Sequence, residues 1–198
     1  MSLIPCFRRV AGGLVAMCML SSVASAEPLI SKTYGYFSIG GKTAEALDRE
    51  LERRGPVTNA TGHRHPGATE IKFGGEVTYL ERGKECSVGN VKVTLKTNLI
   101  LPRWKNRRTA DKNLRFIWDT LSADIKRHEE RHAEIARTYA RTLERDLHAL
   151  RSASSCPELE KKVGAVTKRV LEAHDRDQMR FDRIESKNFD NRMMRLLK

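Results

Sequence analysis

Three residues near the middle of the chain have the types and spacing to do chemistry: His128, Glu129 and His132, in the order His-Glu-x-x-His. On an α-helix, residues four apart differ by about 40° in azimuth and ~6 Å along the axis, so the two imidazoles point the same way and can share one metal ion. Glu129 then stands beside that ion without ligating it, where a carboxylate can take a proton from activated water. So short a pattern also arises by accident, and its surroundings decide the reading. Here they are a long helical stretch, in which Ile117, Trp118, Leu121, Ile125, Ile135, Ala136, Tyr139, Leu143, Leu147 and Leu150 recur at about 3.6 residues. His128 and His132 fall where that apolar stripe has a gap. Two adjacent imidazoles buried without partners would be costly, and a single Zn2+ ion bound by both accounts for them.

A catalytic zinc has three protein ligands and an open position, so another element must supply a third donor. After a turn at 152–155, Ser155 and Glu158 form a capping-box pattern with Pro157 in the first helical turn. A second amphipathic helix follows, with Leu159, Val163, Val166, Val170, His174, Phe181 and Ile184 on one face. Helices joined so closely pack antiparallel. With the turn centred near Ser154, His132 falls opposite Arg176 and His128 opposite Arg180, which makes His174 the expected third ligand and Asp177 the next choice. Asp182 and Glu185 lie up to about a turn beyond and serve if the register shifts, at ~1.5 Å per residue. The competing reading of His174 is a core histidine bonded to a carboxylate.

The elements before the helices must brace them. Residues 34–39 read as a short strand, and 43–54 as an amphipathic helix with Ala44, Leu47 and Leu51 inward, stopped by Gly55-Pro56. Residues 57–68 form a polar loop carrying His63 and His65, which read as solvated rather than as ligands. Residues 69–80 suggest a strand with a bulge or bend, or a hairpin, at Gly74-Gly75. Strict alternation from Val91 to Leu101 predicts the clearest strand, ended by Pro102. Thr109 or Asp111 can cap the long helix. The expected fold is α+β: a small antiparallel sheet with one short helix, packed on a long antiparallel helical hairpin that carries the motif.

Arg8 and Arg9, an apolar run over 10–23 and Ala24-Ser25-Ala26 compose a signal peptide over 1–26. Cleavage near Ala26 leaves a single domain over 27–198, mostly β with one helix over 27–102 and a helical hairpin over 111–190. The exported chain keeps Cys86 and Cys156, an even pair that reads as a disulfide bond in a periplasmic or secreted protein. Net charge is +12, of which the signal holds two arginines. Basic residues interleave with acids along helix exteriors and aromatics make up only 6%, which argues against nucleic acid and leaves anionic envelope polymers as possible partners. No transmembrane segment is expected after cleavage.

The order Cys86, Leu101-Pro102-x-Trp104, Trp118, His128-Glu129-x-x-His132, Cys156, His174 and Phe181-Asp182-x-x-Glu185 resembles a bacterial family of unknown function (domain of unknown function 922) described as predicted secreted zinc-dependent proteases. The resemblance spans about 34–189 and implies export, zinc on His128 and His132, and Glu129 as catalytic carboxylate. Many members end in Tyr-Asp-x-x-Thr-x-His-Gly, and Lys187 stands here at the place of that histidine. Either His174 takes over as ligand or the site is weakened. The function expected is a zinc-dependent metallopeptidase hydrolysing peptide or protein substrates. The alternative is a non-catalytic envelope module with a structural zinc or none.

Overall fold

Alternation builds the centre of the molecule. In the strand β3 (Glu85–Trp104), Val91, Val93, Leu95, Thr97, Leu99 and Leu101 turn to one face and are buried, while Lys92 and Lys96 between them are exposed. The computed structural model describes residues 27–58 and 62–198; the signal peptide and cleavage point expected over 1–26 lie outside them. β3 is flanked by β1 (Leu29–Ile39) and β2 (Ala68–Arg82) in the order β1-β3-β2. β2 and β3 form an antiparallel hairpin turned at Gly83, whose φ of 61° suits glycine. β1, however, runs parallel to β3, with Leu29 opposite Thr94 and Ile39 opposite Trp104. The sheet is therefore mixed rather than antiparallel throughout. The cause is connectivity: β2 leaves from the end of the sheet where β1 finishes, and β3 returns between them in the direction of β1.

Two further expectations need correction. Pro102 does not end β3, which continues to Trp104. β2 pairs with β3 only from Ile100 downward, so beyond that residue one side of β3 is an edge, where proline is tolerated. Nor does the strand bend at Gly74-Gly75; the irregularity lies between Val77 and Tyr79. A Cβ at Gly75 would stand 2.4 Å from the Lys92 carbonyl oxygen, so this glycine marks close approach of two backbones.

Among the described residues three α-helices complete an α+β fold. The helix α1 (Ala44–Arg54) is capped by Thr43, whose Oγ1 accepts from Ala46 N at 3.2 Å, and it buries Leu47 and Leu51. The helix α2 (Lys112–His148) is capped by Asp111, which accepts from Leu114 N at 2.9 Å. Its buried positions include Leu114, Trp118, Ile125, Glu129, Ala133, Ala136, Ala140, Leu143 and Leu147, and the small alanines let it lie close against β3. Each large apolar side chain so buried contributes roughly 1.5–3 kcal/mol. The helix α3 (Cys156–Leu196) is capped by Ser155 and outruns the expected 190.

α2 and α3 run antiparallel, tied by Arg169 to Asp146 near the turn and by Arg192 to Asp124 at the far end. The Cys86–Cys156 disulfide is formed, with Cα atoms 5.1 Å apart, and paired backbone bonds between Cys86 and Ala153 fasten the turn to the sheet. A disulfide suits an oxidising, exported location. Among the described residues no helix is long and apolar enough to cross a membrane.

Candidate metal centre

Glu129, not the histidines, occupies the place in the buried stripe of α2 between Ile125 and Ala133. His128 and His132 stand on the flank that faces α3. Across the seam, Asp182 of α3 completes a group of three donors. His132 Nε2 lies 3.0 Å from His128 Nε2 and 2.9 Å from Asp182 Oδ1, and His128 Nε2 lies 3.4 Å from the same oxygen. Tetrahedral ligands at about 2.0–2.1 Å from zinc stand roughly 3.3 Å from one another, so the triangle fits one small divalent cation. The donor chemistry fits as well, since two imidazole nitrogens facing each other at this distance need a proton or a cation between them. Phe181 walls the pair, its ring centroid 4.9 Å from that of His128 and 5.1 Å from that of His132.

Electrostatics within the triangle favour a shared positive charge. Burial opposes ionisation of Asp182, but hydrogen bonds from His128 and His132 outweigh it and hold the carboxyl well below the usual range. Burial likewise disfavours a charged His132, yet Asp182 and Gln178 raise its pKa overall. A bound cation would take the place of that proton.

The Glu129 carboxylate sits beside the triangle and is clamped. Thr69, the second residue of β2, places Oγ1 2.8 Å from Glu129 Oε2 and 3.0 Å from the Glu129 carbonyl oxygen. Gly67 lies against it, where a Cβ would meet Glu129 Oε1 at 3.0 Å and Ile125 Cγ2 at 2.8 Å. Burial pushes the Glu129 carboxyl above its ordinary value, against the pull of Thr69 and the two imidazoles. Its neighbour Glu130 turns the other way, to Lys32 at 2.6 Å and to the Tyr34 hydroxyl of β1. Consecutive carboxylates thus tie the motif helix to both edge strands, which fixes its rotation. A cleft of about 670 Å³ opens over the group between 65–69, α2 and the last turns of α3.

The other expected residues have different places. His174, expected as third ligand, stands outside the group: its ring is buried between Phe73 and Tyr139 and bonds to Asp175 and Gln178. Asp177 accepts from the Tyr139 hydroxyl at 2.7 Å. Glu185 binds Arg127 and Arg192, and its carboxylate is 3.8 Å from His128 Nδ1. His63 and His65 also fall outside the group of donors. The register explains the difference at His174. Facing pairs add to 310 for His132 with Gln178 and to 316 for Asp124 with Arg192, above the 308 expected from a turn at Ser154. That shift carries His174 past the histidines and brings Asp182 level with them. Thr69, Gly67 and Gln178 are contributions that sequence reading missed; none carries a signal by type or spacing, because each acts through contacts between distant segments.

A family model described as bacterial protein of unknown function (DUF922) matches residues 34–189, most of the chain. The chain belongs to that family. The match covers all three donors, Glu129 and both cysteines, so in this family member the candidate metal centre lies wholly within the matched region. No curated protein and no solved structure matches the chain.

Proposed function

We propose that this protein is an exported zinc-dependent peptidase of the bacterial envelope. The observation that carries the reading is a triangle of nitrogen and oxygen donors, with edges of 2.9–3.4 Å, set beside a buried carboxylate at the floor of a cleft. His128, His132 and Asp182 would hold the ion. When bound, zinc supplies a Lewis acid that acidifies water and polarises a carbonyl. Glu129 accepts the proton of the attacking water and delivers it to the departing amine nitrogen. Burial readies it for the first step, because a carboxylate whose pKa lies above the usual value is a stronger base than a solvated one. Thr69 and Gly67 hold that carboxylate in one place, on the wall of the cleft that also holds the three donors. An amide of a cell-wall stem would be cleaved by the same groups, and substrate profiling separates the two.

The test is metal analysis of protein purified without chelators, followed by peptide hydrolysis with the wild type and Glu129→Gln. The expected result is about one zinc per chain in both, with hydrolysis lower by about 10²–10⁴-fold in the variant. A zinc-loaded Glu129→Gln protein of undiminished activity would remove the peptidase reading.

A further inference from the structure

We infer that Gln178, held by His174, is a positioning residue that sets which nitrogen of His132 is free to bind metal. The inference rests on the zinc reading and concerns residues outside the donor triangle.

The Gln178 side chain makes three contacts, and one of them orients it. Its Nε2 lies 3.1 Å from the backbone carbonyl oxygen of His132, which can only accept, so Nε2 is the amide nitrogen that donates there. The amide oxygen Oε1 then faces His132 Nδ1 at 2.5 Å. An amide oxygen can only accept, so Nδ1 carries a proton and keeps it, and the proton that a cation would displace to free a lone pair is the one on Nε2, inside the triangle. His132 thus has the tautomer of its own ring set by its own backbone carbonyl, through one glutamine. An unconstrained imidazole favours its proton on Nε2, the form that would block the metal.

His174 completes the arrangement. Gln178 Nε2 stands 2.9 Å from His174 Nε2, which must therefore accept, and this leaves the His174 proton on Nδ1, 2.9 Å from Asp175 Oδ1. Phe73 and Tyr139 pack their rings across the His174 imidazole at centroid distances of 5.0 and 5.7 Å. A buried histidine one helical turn before Gln178 thus fixes the glutamine, which fixes the ligand. A partner on the non-ligating nitrogen of a metal-bound histidine is commonly worth 10–100-fold in metal affinity.

The experiment is zinc affinity by chelator competition on the full chain for the wild type, Gln178→Leu, Gln178→Glu and His174→Leu, with thermal melts of each metal-free protein. Gln178→Leu is expected to weaken zinc by about 10–100-fold. Gln178→Glu keeps the acceptor for Nδ1 but gives up the donor to the His132 carbonyl and to His174, and should recover part of that loss, which a mere packing role would not predict. His174→Leu should fall between, because Gln178 retains its bond to the His132 carbonyl. Long-range ¹H–¹⁵N spectra of the zinc-loaded chain should show a protected His132 Nδ1 proton that exchanges rapidly in Gln178→Leu. Equal zinc affinity in Gln178→Leu and the wild type overturns the positioning role and leaves the metal centre standing. A His174→Leu loss as large as that of a His128 variant would make His174 a ligand instead, and a wild-type chain that binds no zinc ends both readings.

Discussion

Asp182→Ala separates the donor set found here from the one the motif helix alone suggests. The carboxylate closes two of the three edges of the triangle, at 2.9 and 3.4 Å, and without it two imidazoles remain. Structural zinc sites with four protein ligands bind with roughly 10–16 kcal/mol at neutral pH, or about 3–4 kcal/mol per ligand. Loss of Asp182 should therefore cost about 3 kcal/mol, a factor of about 10² in zinc affinity. Part of that cost is recovered at neutral pH. Asp182 also raises the pKa of His132, so its removal lets His132 shed its proton more easily. The deficit should accordingly be smaller at pH 6.5 than at pH 8.5, where protons compete less. Chelator competition at the two pH values measures both effects, with Asp182→Asn between wild type and alanine because it keeps an oxygen without the charge. Unchanged zinc affinity in Asp182→Ala would refute the assignment.

Other perturbations probe the parts around that triangle. Zinc affinity of the wild type should fall as pH drops, starting above pH 6.5, because the His132 pKa is raised from that value and binding must displace its proton; a flat titration between pH 6 and 8 would contradict this. Gly67→Ala places a methyl 3.0 Å from Glu129 Oε1 and 2.8 Å from Ile125 Cγ2. It should cut hydrolysis at least about tenfold at a stability cost of about 1–3 kcal/mol, with zinc still bound. Replacing Cys86 and Cys156 by Ser opens a loop spanning 70 residues. The loss should be about 4 kcal/mol in the chain-entropy model, seen as an earlier urea midpoint in tryptophan fluorescence.

What could be read from the sequence follows from the range of each interaction. His128, Glu129 and His132 were visible because their relation is local, fixed by 3.6 residues per turn on a helix that its own periodicity announces. The strand at 91–101, the cap Ser155 and Asp111 as one of two candidate caps were legible for the same reason, whereas Thr43, read as the first residue of its helix, is the cap before it. The third donor was legible only as a fallback, with Asp182 named for the case of a shifted register behind His174 and Asp177, since the choice depends on how two long helices are aligned. A few residues of error in where the chain reverses exchange Asp182 for His174. The burial of Glu129 was also misjudged. Treating His128 and His132 as the gap in the stripe assigned the inward face to them, whereas the helix is rotated to direct Glu129 at the sheet. The decisive contacts for that rotation, Glu129 with Thr69 and Glu130 with Tyr34 and Lys32, join residues 60 to 98 positions apart. The direction of β1 was hidden too, because alternation gives the faces of a strand and not its neighbours.

Register matters chemically as well as architecturally. A triangle with edges near 3 Å tolerates displacements of about half an ångström, while one residue of slip along α3 moves a side chain ~1.5 Å and turns it through about 100°. The hairpin is fixed at both ends against such a slip. At the turn, the disulfide and the paired Cys86–Ala153 backbone bonds anchor the start of α3 to β3. At the open end, Arg192 grips buried Asp124 through two hydrogen bonds of 2.8 and 3.0 Å and reaches Glu185 at 3.2 Å. Asp124 is four residues before His128, and Glu185 is three after Asp182, so this far clamp sets the helices level within a turn of the donors. Burial disfavours a charged Asp124, but Arg192 and Arg127 hold its carboxyl below the ordinary value, so the clamp persists above the unfolded carboxylate range and loosens only as pH falls through that depressed value. At neutral pH the metal would then meet donors already in place, and little of its binding energy would be spent aligning the helices.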